Sequence, residues 1–222
     1  MRKFAISDIH GAKKTLVALL DKLQFSTKDE LYLLGDYIDR GPDSKGVIDY
    51  IWQLQNEGYT LKCLRGNHEQ MLINICDSPL PYHKSNYPYM LKSFGISDPN
   101  QTPVEYLNWM KSLPWQFEVD QYILVHAGLN YNVDNPLMDT DAMLWIRDSR
   151  GMIDRQWLNG RIVIHGHTPT AKDAIEHYAK HLNSTPQLVI DNGCVFGHRP
   201  GLGHLAALEL GTHELTFMAC VD

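Results

Sequence analysis

Residues 3–23 read K-F-A-I-S-D-I-H-G-A-K-K-T-L-V-A-L-L-D-K-L, and their pattern decides the fold. Lys3–Ser7 is a short apolar run of strand length. Lys13–Leu23 carries Leu16, Leu19, Leu20 and Leu23 at i, i+3, i+4 and i+7, which puts four leucines on one helix face. The same alternation repeats downstream. Glu30–Leu34 (E-L-Y-L-L) reads as a second strand. Ser44–Gln55 carries Val47, Ile48, Ile51 and Leu54 at helical spacing, with Asp43 or Ser44 as its N-cap. Thr60–Leu64 (T-L-K-C-L) reads as a third strand and His68–Cys76 as a third helix. A βαβαβ rhythm of this kind predicts a parallel or mixed sheet covered by helices.

The rhythm breaks over 77–118. This stretch holds Pro79, Pro81, Pro88, Pro99, Pro103 and Pro114, interspersed with Tyr82, Tyr87, Tyr89, Tyr106, Trp109 and Trp115. Thr102-Pro103-Val104-Glu105 has the spacing of a capping box, with proline at the first helical position of a helix reaching about Ser112. We read 77–118 as a helical, aromatic-rich insertion over one end of the sheet, bordering a site mouth or simply packed on the surface. Strand signals resume at Tyr122–Val125, Arg161–Ile164, Gln187–Ile190, Leu205–Leu210 and Glu214–Ala219, the last two joined by a Gly211-Thr212-His213 turn. The expected fold is α/β, with two packed mixed β-sheets flanked by helices and residues 1–222 forming one domain.

Composition narrows the function. Hydrophobic residues make up 44% and charged residues 21%, which excludes a disordered or fibrous chain. No apolar run approaches the ~20 residues of a membrane span, and the opening M-R-K-F-A-I-S-D has no long apolar region, so neither a membrane partner nor a secretory signal is expected. A cytoplasmic location follows, with Cys63, Cys76, Cys194 and Cys220 reduced and no C-x-x-C pair among them. The net charge of -6 argues against a nucleic-acid partner, so any phosphate chemistry has to rely on a local cationic site.

The polar residues stand where the strands end. Asp8 and His10 follow the first strand, Asp36, Asp39 and Arg40 the second, Asn67 and His68 the third. His126 follows Y-I-L-V and His167 follows R-I-V-I. Ligands of α/β sheets bind beyond the carboxyl ends of the strands. Each residue alone has an ordinary structural explanation, but five loaded strand ends in succession do not. Two Asp, three His and one Asn without a thiolate suit divalent Mn, Fe or Zn. Six such ligands exceed the four of a structural zinc site. A pair of ions, with Asp36 as a bridge, uses them better, and two ions ~3.5–4 Å apart clamp a phosphate and activate a water.

The blocks S-D-I-H-G (7–11), G-D-Y-I-D-R-G (35–41), R-G-N-H-E (65–69), H-A-G (126–128) and G-H-T (166–168) resemble, in this order, the phosphoprotein phosphatase family of the calcineurin-like metallophosphoesterases. The likeness runs from about Phe4 to Gly197, and the short chain is most similar to bacterial and bacteriophage serine/threonine protein phosphatases. It implies a four-layer α/β/β/α sandwich and two divalent ions, Mn²⁺ first, with Fe or Zn as alternatives. Asp8, His10 and Asp36 would hold one ion, and Asp36, Asn67, His126 and His167 the other. His68 would be the general acid, oriented by Asp39. Arg40 and Arg147, the latter in W-I-R-D, would grip the phosphate.

Some positions depart from the pattern. Ser7 and Ala127 replace glycines common in the family, and Pro169 stands where nuclease members have the second histidine of G-H-x-H. The expected substrates are therefore phosphate monoesters, phosphoserine, phosphothreonine or phosphotyrosine in proteins. Dinucleoside polyphosphates such as diadenosine tetraphosphate are the alternative, small phosphorylated metabolites also fit, and a non-catalytic scaffold is the remote one. His165 is read as a supporting residue. Oligomeric state is left open by the sequence.

Overall fold

The computed structural model describes residues 1–78, 88–147 and 149–222; Tyr82, Tyr87 and the side chain of Tyr89 lie outside the described residues. The first sheet takes its strands from both ends of the chain. β1 (Lys3–Ile6), β2 (Glu30–Leu33) and β3 (Thr60–Cys63) run parallel, and β8 (His204–Glu209) and β9 (Leu215–Ala219) extend the sheet antiparallel from β1, giving the order β3-β2-β1-β8-β9. The second sheet is β4 (Gln116–Val119), β5 (Tyr122–Val125), β6 (Ile162–His165) and β7 (Gln187–Val189), with β4 antiparallel and the other three parallel. β4 lies in the stretch that the sequence reading gave to the insertion. It is a hairpin arm whose pattern Q-F-E-V has only two apolar residues, and its pairing to β5 defines it.

Strand alternation sorts the side chains into layers. Ala5, Tyr32 and Leu208 of the first sheet pack on Tyr122, Leu124, Ile164 and Leu188 of the second, so the sheets meet face to face. The opposite face of the first sheet, with Phe4, Ile6, Leu31 and Leu33, is covered by α1 (Lys13–Lys22), α2 (Ser44–Asn56) and α3 (Asn67–Asp77) through Leu16, Leu19, Val47, Ile48, Ile51 and Leu72. The outer face of the second sheet, Ile123, Val125 and Val163, is covered by Leu129, Met143 and Leu158. The result is the expected four-layer α/β/β/α sandwich.

The insertion is helical, with α4 (Pro88–Ser93) and α5 (Val104–Ser112). The capping box expected at Thr102 is absent. Thr102 closes the preceding 3-10 turn instead, and Pro103 is the N-cap, its carbonyl accepting the Tyr106 N–H at 3.1 Å. Two of the insertion's aromatics face inward: Tyr106 and Trp109 pack against Trp52, and Trp109 meets Tyr37. α6 (Thr140–Trp145), α7 (Arg155–Leu158) and α8 (Lys172–Ala179) complete the chain, and no described helix is long and apolar enough to cross a membrane.

Asp43 is the N-cap of α2, its carboxylate accepting the Gly46 N–H at 2.8 Å. Asp43→Ala leaves that donor unpaired and is expected to cost about 1 kcal/mol, read as a lowered urea midpoint at unchanged slope.

Candidate active site

The parallel strands of both sheets deliver their polar loops to one rim. β1 leads to Asp8 and His10, β2 to Asp36, and β3 to Asn67 and His68 at the start of α3. β5 leads to His126 and β6 to His167. All seven are buried. The two sheets meet here: His126 Nε2 lies 3.5 Å from Asp36 Oδ1, and the His167 backbone N–H donates to Asp8 Oδ2 at 2.9 Å.

The loops adopt backbone conformations that L-residues avoid. Ten described non-glycine residues have positive φ, and six of them are Asp8, His10, Asp36, Asp39, Arg40 and His167. Strain of this kind persists only where surrounding structure over-determines it. Glu69 supplies much of that restraint. Its carboxylate is fully buried and accepts the N–H groups of Asp36, Tyr37, Ile38 and Gly66 at 2.9–3.3 Å, which ties the loop after β2 to the loop after β3. Gly66 is required there because a Cβ would fall on the Asp36 backbone nitrogen and carboxylate.

Two groups of ligand atoms form within 4.8 Å of one another: His10, Asp36 and His68, and Asp36, His126 and His167. Asp36 belongs to both, as expected of a bridge. Asp8 is adjacent: its Oδ2 takes the Ser7 hydroxyl and the His167 N–H, which leaves Oδ1 as its candidate ligand atom, and His68 stands in the first group in its place. Asn67 Oδ1 lies 2.8 Å from His126 Nε2 and 2.9 Å from His167 Nδ1.

The donor set fits divalent cations. His10 and His126 each donate Nδ1–H to a backbone carbonyl, of Ile38 and Leu34, which fixes the tautomer and turns the Nε2 lone pair inward. His126 Nε2 then faces Asn67 Oδ1 and Asp36 Oδ1, lone pair against lone pair, and the buried His167 Nε2 has no partner. Burial drives the imidazoles toward the neutral form: His10 falls well below its usual range, and His167, next to His126 and Arg147, is pulled down to about 2. Asp36 is pushed well above the carboxylate range by burial and by Asp8 and Glu69. Converging neutral lone pairs and carboxylates with no cation are what a metal site looks like to its own side chains.

The structure also pairs His68 with Asp39 and Arg40. His68 Nδ1 pairs with Asp39 Oδ2 at 2.8 Å, and His68 Nε2 accepts from Arg40 Nη2 at 3.1 Å. Burial raises the Asp39 carboxyl, but the His68 hydrogen bond and charge outweigh it, and the net shift is downward. Asp39 is held by Ser44, whose Oγ accepts the Asp39 N–H and meets Ser93 Oγ of α4. Arg147 is exposed, and its charge helps to depress His126 and His167. His165 sits on Gln187, 3.1 Å from its Nε2, with Ser149 beyond, and makes no hydrogen bond to the ligand cluster.

The family profile described as calcineurin-like phosphoesterase matches residues 1–201. The chain belongs to this family. Similar curated proteins include the symmetrical bis(5'-nucleosyl)-tetraphosphatases of Photorhabdus laumondii, 36% identical over 132 residues (58% of this chain, 45% of the relative), and of Nitrosomonas europaea, 27% identical over 172 residues (75% and 60%). The chain thus spans about half the length of the relatives it matches. Among solved structures, a putative diadenosine tetraphosphatase superposes with a TM-score of 0.71 at 19% identity (100% of this chain, 94% of that one), and a Saccharomyces cerevisiae protein serine/threonine phosphatase with 0.64 at 17% (100% and 81%). The chain therefore shares its fold with proteins that carry both names.

Three residues near the site escaped the sequence reading. Glu69 was visible only as the end of R-G-N-H-E, although Gly66…Glu69 has capping-box spacing. Asp191 follows β7 as a further loaded strand end; it is buried, accepts the Gly193 N–H at 2.6 Å, and is pushed well above its usual range by burial and Asp8. Trp145, at the end of α6, presents its ring 6.5 Å from that of His167 and perpendicular to it.

Glu69→Gln sets an amide N–H₂ against two backbone donors whichever way it turns, so it should destabilise by about 1–3 kcal/mol or more in chemical denaturation. A metal prediction follows from Asp36. Its raised folded value means that metal-free stability falls as pH climbs from the carboxylate range through that value. Added Mn²⁺ should raise Tm strongly at pH 8 and less at pH 5, where protons compete for the ligands, and Asp36→Asn should remove most of the rise.

Proposed function

We propose that this chain acts as one catalytic domain that hydrolyses dinucleoside polyphosphates, splitting a central phosphoanhydride with water to leave two nucleoside polyphosphates. The observation that carries the nucleotide reading is Trp145. Its side chain is 42% exposed beside the candidate metal ligand His167, with the exposed Arg147 two residues on. An open indole face next to a phosphate site is a platform for a nucleobase, and such stacking contributes about 1–3 kcal/mol per base. The relatives named as symmetrical tetraphosphatases support the same substrate class.

In this reading Asp8, His10 and Asp36 would hold one divalent ion, and Asp36, Asn67, His126 and His167 a second, with Mn²⁺ preferred. Ions there supply Lewis acidity at the phosphoryl oxygens and lower the pKa of a nearby water. Arg40 and Arg147 grip the phosphoryl oxygens through forked hydrogen bonds. As the phosphate draws Arg40 away, His68 Nε2 is released to carry a proton, with Asp39 stabilising the imidazolium from Nδ1. His68 then donates that proton to the leaving oxygen.

The His68–Asp39 pair also favours a second reading, a protein phosphatase. An alkoxide leaving from phosphoserine needs a proton far more than a leaving nucleoside diphosphate does. The test is kcat/KM with Mn²⁺ on diadenosine tetraphosphate, a phosphoserine peptide and p-nitrophenyl phosphate. The first should be preferred, with ADP as the product, and Trp145→Ala should raise its KM about tenfold, well beyond any change for p-nitrophenyl phosphate. Preference for the phosphopeptide, together with a loss of about 10²–10⁴ in kcat on it from His68→Asn, would establish the protein phosphatase instead.

A further inference from the structure

The turn after β7 carries a second guanidinium toward Arg40. Phe196 is half-buried at the end of a short 3-10 turn, Cys194–Phe196. The Arg40 guanidinium carbon lies 5.1 Å from the centre of its ring, and the Arg199 guanidinium carbon lies 4.8 Å from the same centre. The two cations are therefore separated by at most the sum of those distances, within the reach of a chain of several phosphates. Each is held by cation–π attraction to one ring, and Arg40 is fixed at the reacting end by His68.

Arg199 is also uncommitted. Arg2, Arg65, Arg155 and Arg161 spend their guanidiniums on carboxylates, amides or backbone carbonyls. Arg199 is exposed and, among the described residues, makes no side-chain hydrogen bond and no ion pair. Its backbone, by contrast, is fastened. The Arg199 N–H donates to the Phe196 carbonyl at 2.8 Å, the Leu202 N–H to the Arg199 carbonyl at 3.2 Å, and Asn192 Nδ2 ties Gly201 and Thr170 together. A free cation on a fixed turn, in a chain of net charge -6, is placed to meet an anion.

We propose that Arg199, which shares the Phe196 ring with Arg40, forms a second phosphate subsite that takes the distal phosphates of a polyphosphate chain, so that the site selects polyphosphates over single phosphoryl groups. This rests on the hydrolytic reading of the site, and deepens its substrate class, but does not require the nucleoside. Arg40 also lines a cavity of about 400 Å³, together with Gly41, Pro42, Lys92, Ser93 and Asp222. Lys92 offers a cation there, but the Asp222 carboxylate, which caps α1 through the N–H groups of Lys14 and Thr15, stands in the same cavity and repels a polyanion.

The experiment compares inorganic tripolyphosphate with orthophosphate as inhibitors of p-nitrophenyl phosphate hydrolysis at fixed free Mn²⁺. The wild-type protein should bind tripolyphosphate tighter by about tenfold or more. Arg199→Ala should remove about tenfold of that affinity and shift orthophosphate much less. Arg199→Lys should recover part of it, and Phe196→Leu should weaken both anions, because the same ring holds Arg40 as well as Arg199. Calorimetric titration with tripolyphosphate gives the same contrast without turnover, so a failure of hydrolysis does not spoil the test. Equal weakening of both anions by Arg199→Ala, or discrimination lost on Lys92→Ala rather than Arg199→Ala, overturns the assignment. If tripolyphosphate preference and its Arg199 dependence hold while diadenosine tetraphosphate is not hydrolysed, the nucleoside reading fails and the subsite stands.

Discussion

The site depends on one buried carboxylate that touches no substrate. Glu69 accepts four backbone N–H groups from two loops, and in doing so decides where Asp36 and Asn67 lie. A carboxylate without water around it is costly unless every lone pair is used, and here the two loops supply the donors. The arrangement is mutual: the loops satisfy Glu69, and Glu69 holds them in conformations they would otherwise leave. The start of α3 adds to this by directing the His68 N–H at Asp36 Oδ1, 3.0 Å away, where the positive end of the helix favours an anion.

The consequence is a rim with more negative charge and more lone pairs than its protein surroundings can balance. Asp8, Asp36, Glu69 and Asp191 are all buried within a short reach of three candidate imidazole ligands driven neutral by burial. Divalent cations resolve that imbalance, so the same packing that strains the apo loops makes them receptive to metal. The glycines follow from it as well. Gly166 brings the loop after β6 so close to Ser7 and Asp8 that a Cβ would overlap both side chains.

In the proposed reading, substrate selection falls to residues outside the ligand set. Tyr106 and Trp109 of the insertion are spent on packing against α2 and Tyr37, and Trp115 lies under the Arg65 guanidinium, while Ser93 of α4 reaches Ser44 and through it Asp39. The insertion thus meets the site through small polar groups. The exposed aromatic beside His167 comes from α6, and the additional cation, Arg199, comes from the turn after β7. A shared fold with phosphatases of different substrates is consistent with this division, since the ligand loops are set by the strands and the periphery is free to vary.

The sequence by itself determined the strand and helix order of the first half, because apolar periodicities of two and of three to four residues report burial directly. It also determined which residues stand at the strand ends, since Asp8, His10, Asp36, Asn67, His126 and His167 each follow an apolar run. Only the tertiary structure decided what meets there. Pairing of β1 with β8, whose partners Ile6 and Ala207 stand 201 positions apart, is a long-range choice that no local pattern encodes, and the face-to-face packing that brings His126 to Asp36 is another. β4 was invisible because its stability comes from its partner β5. Glu69, Trp145 and Arg199 look locally like a helix residue, a buried aromatic and a surface cation. Their meaning lies in what the fold sets beside them: four backbone donors, an imidazole, and a ring shared with Arg40.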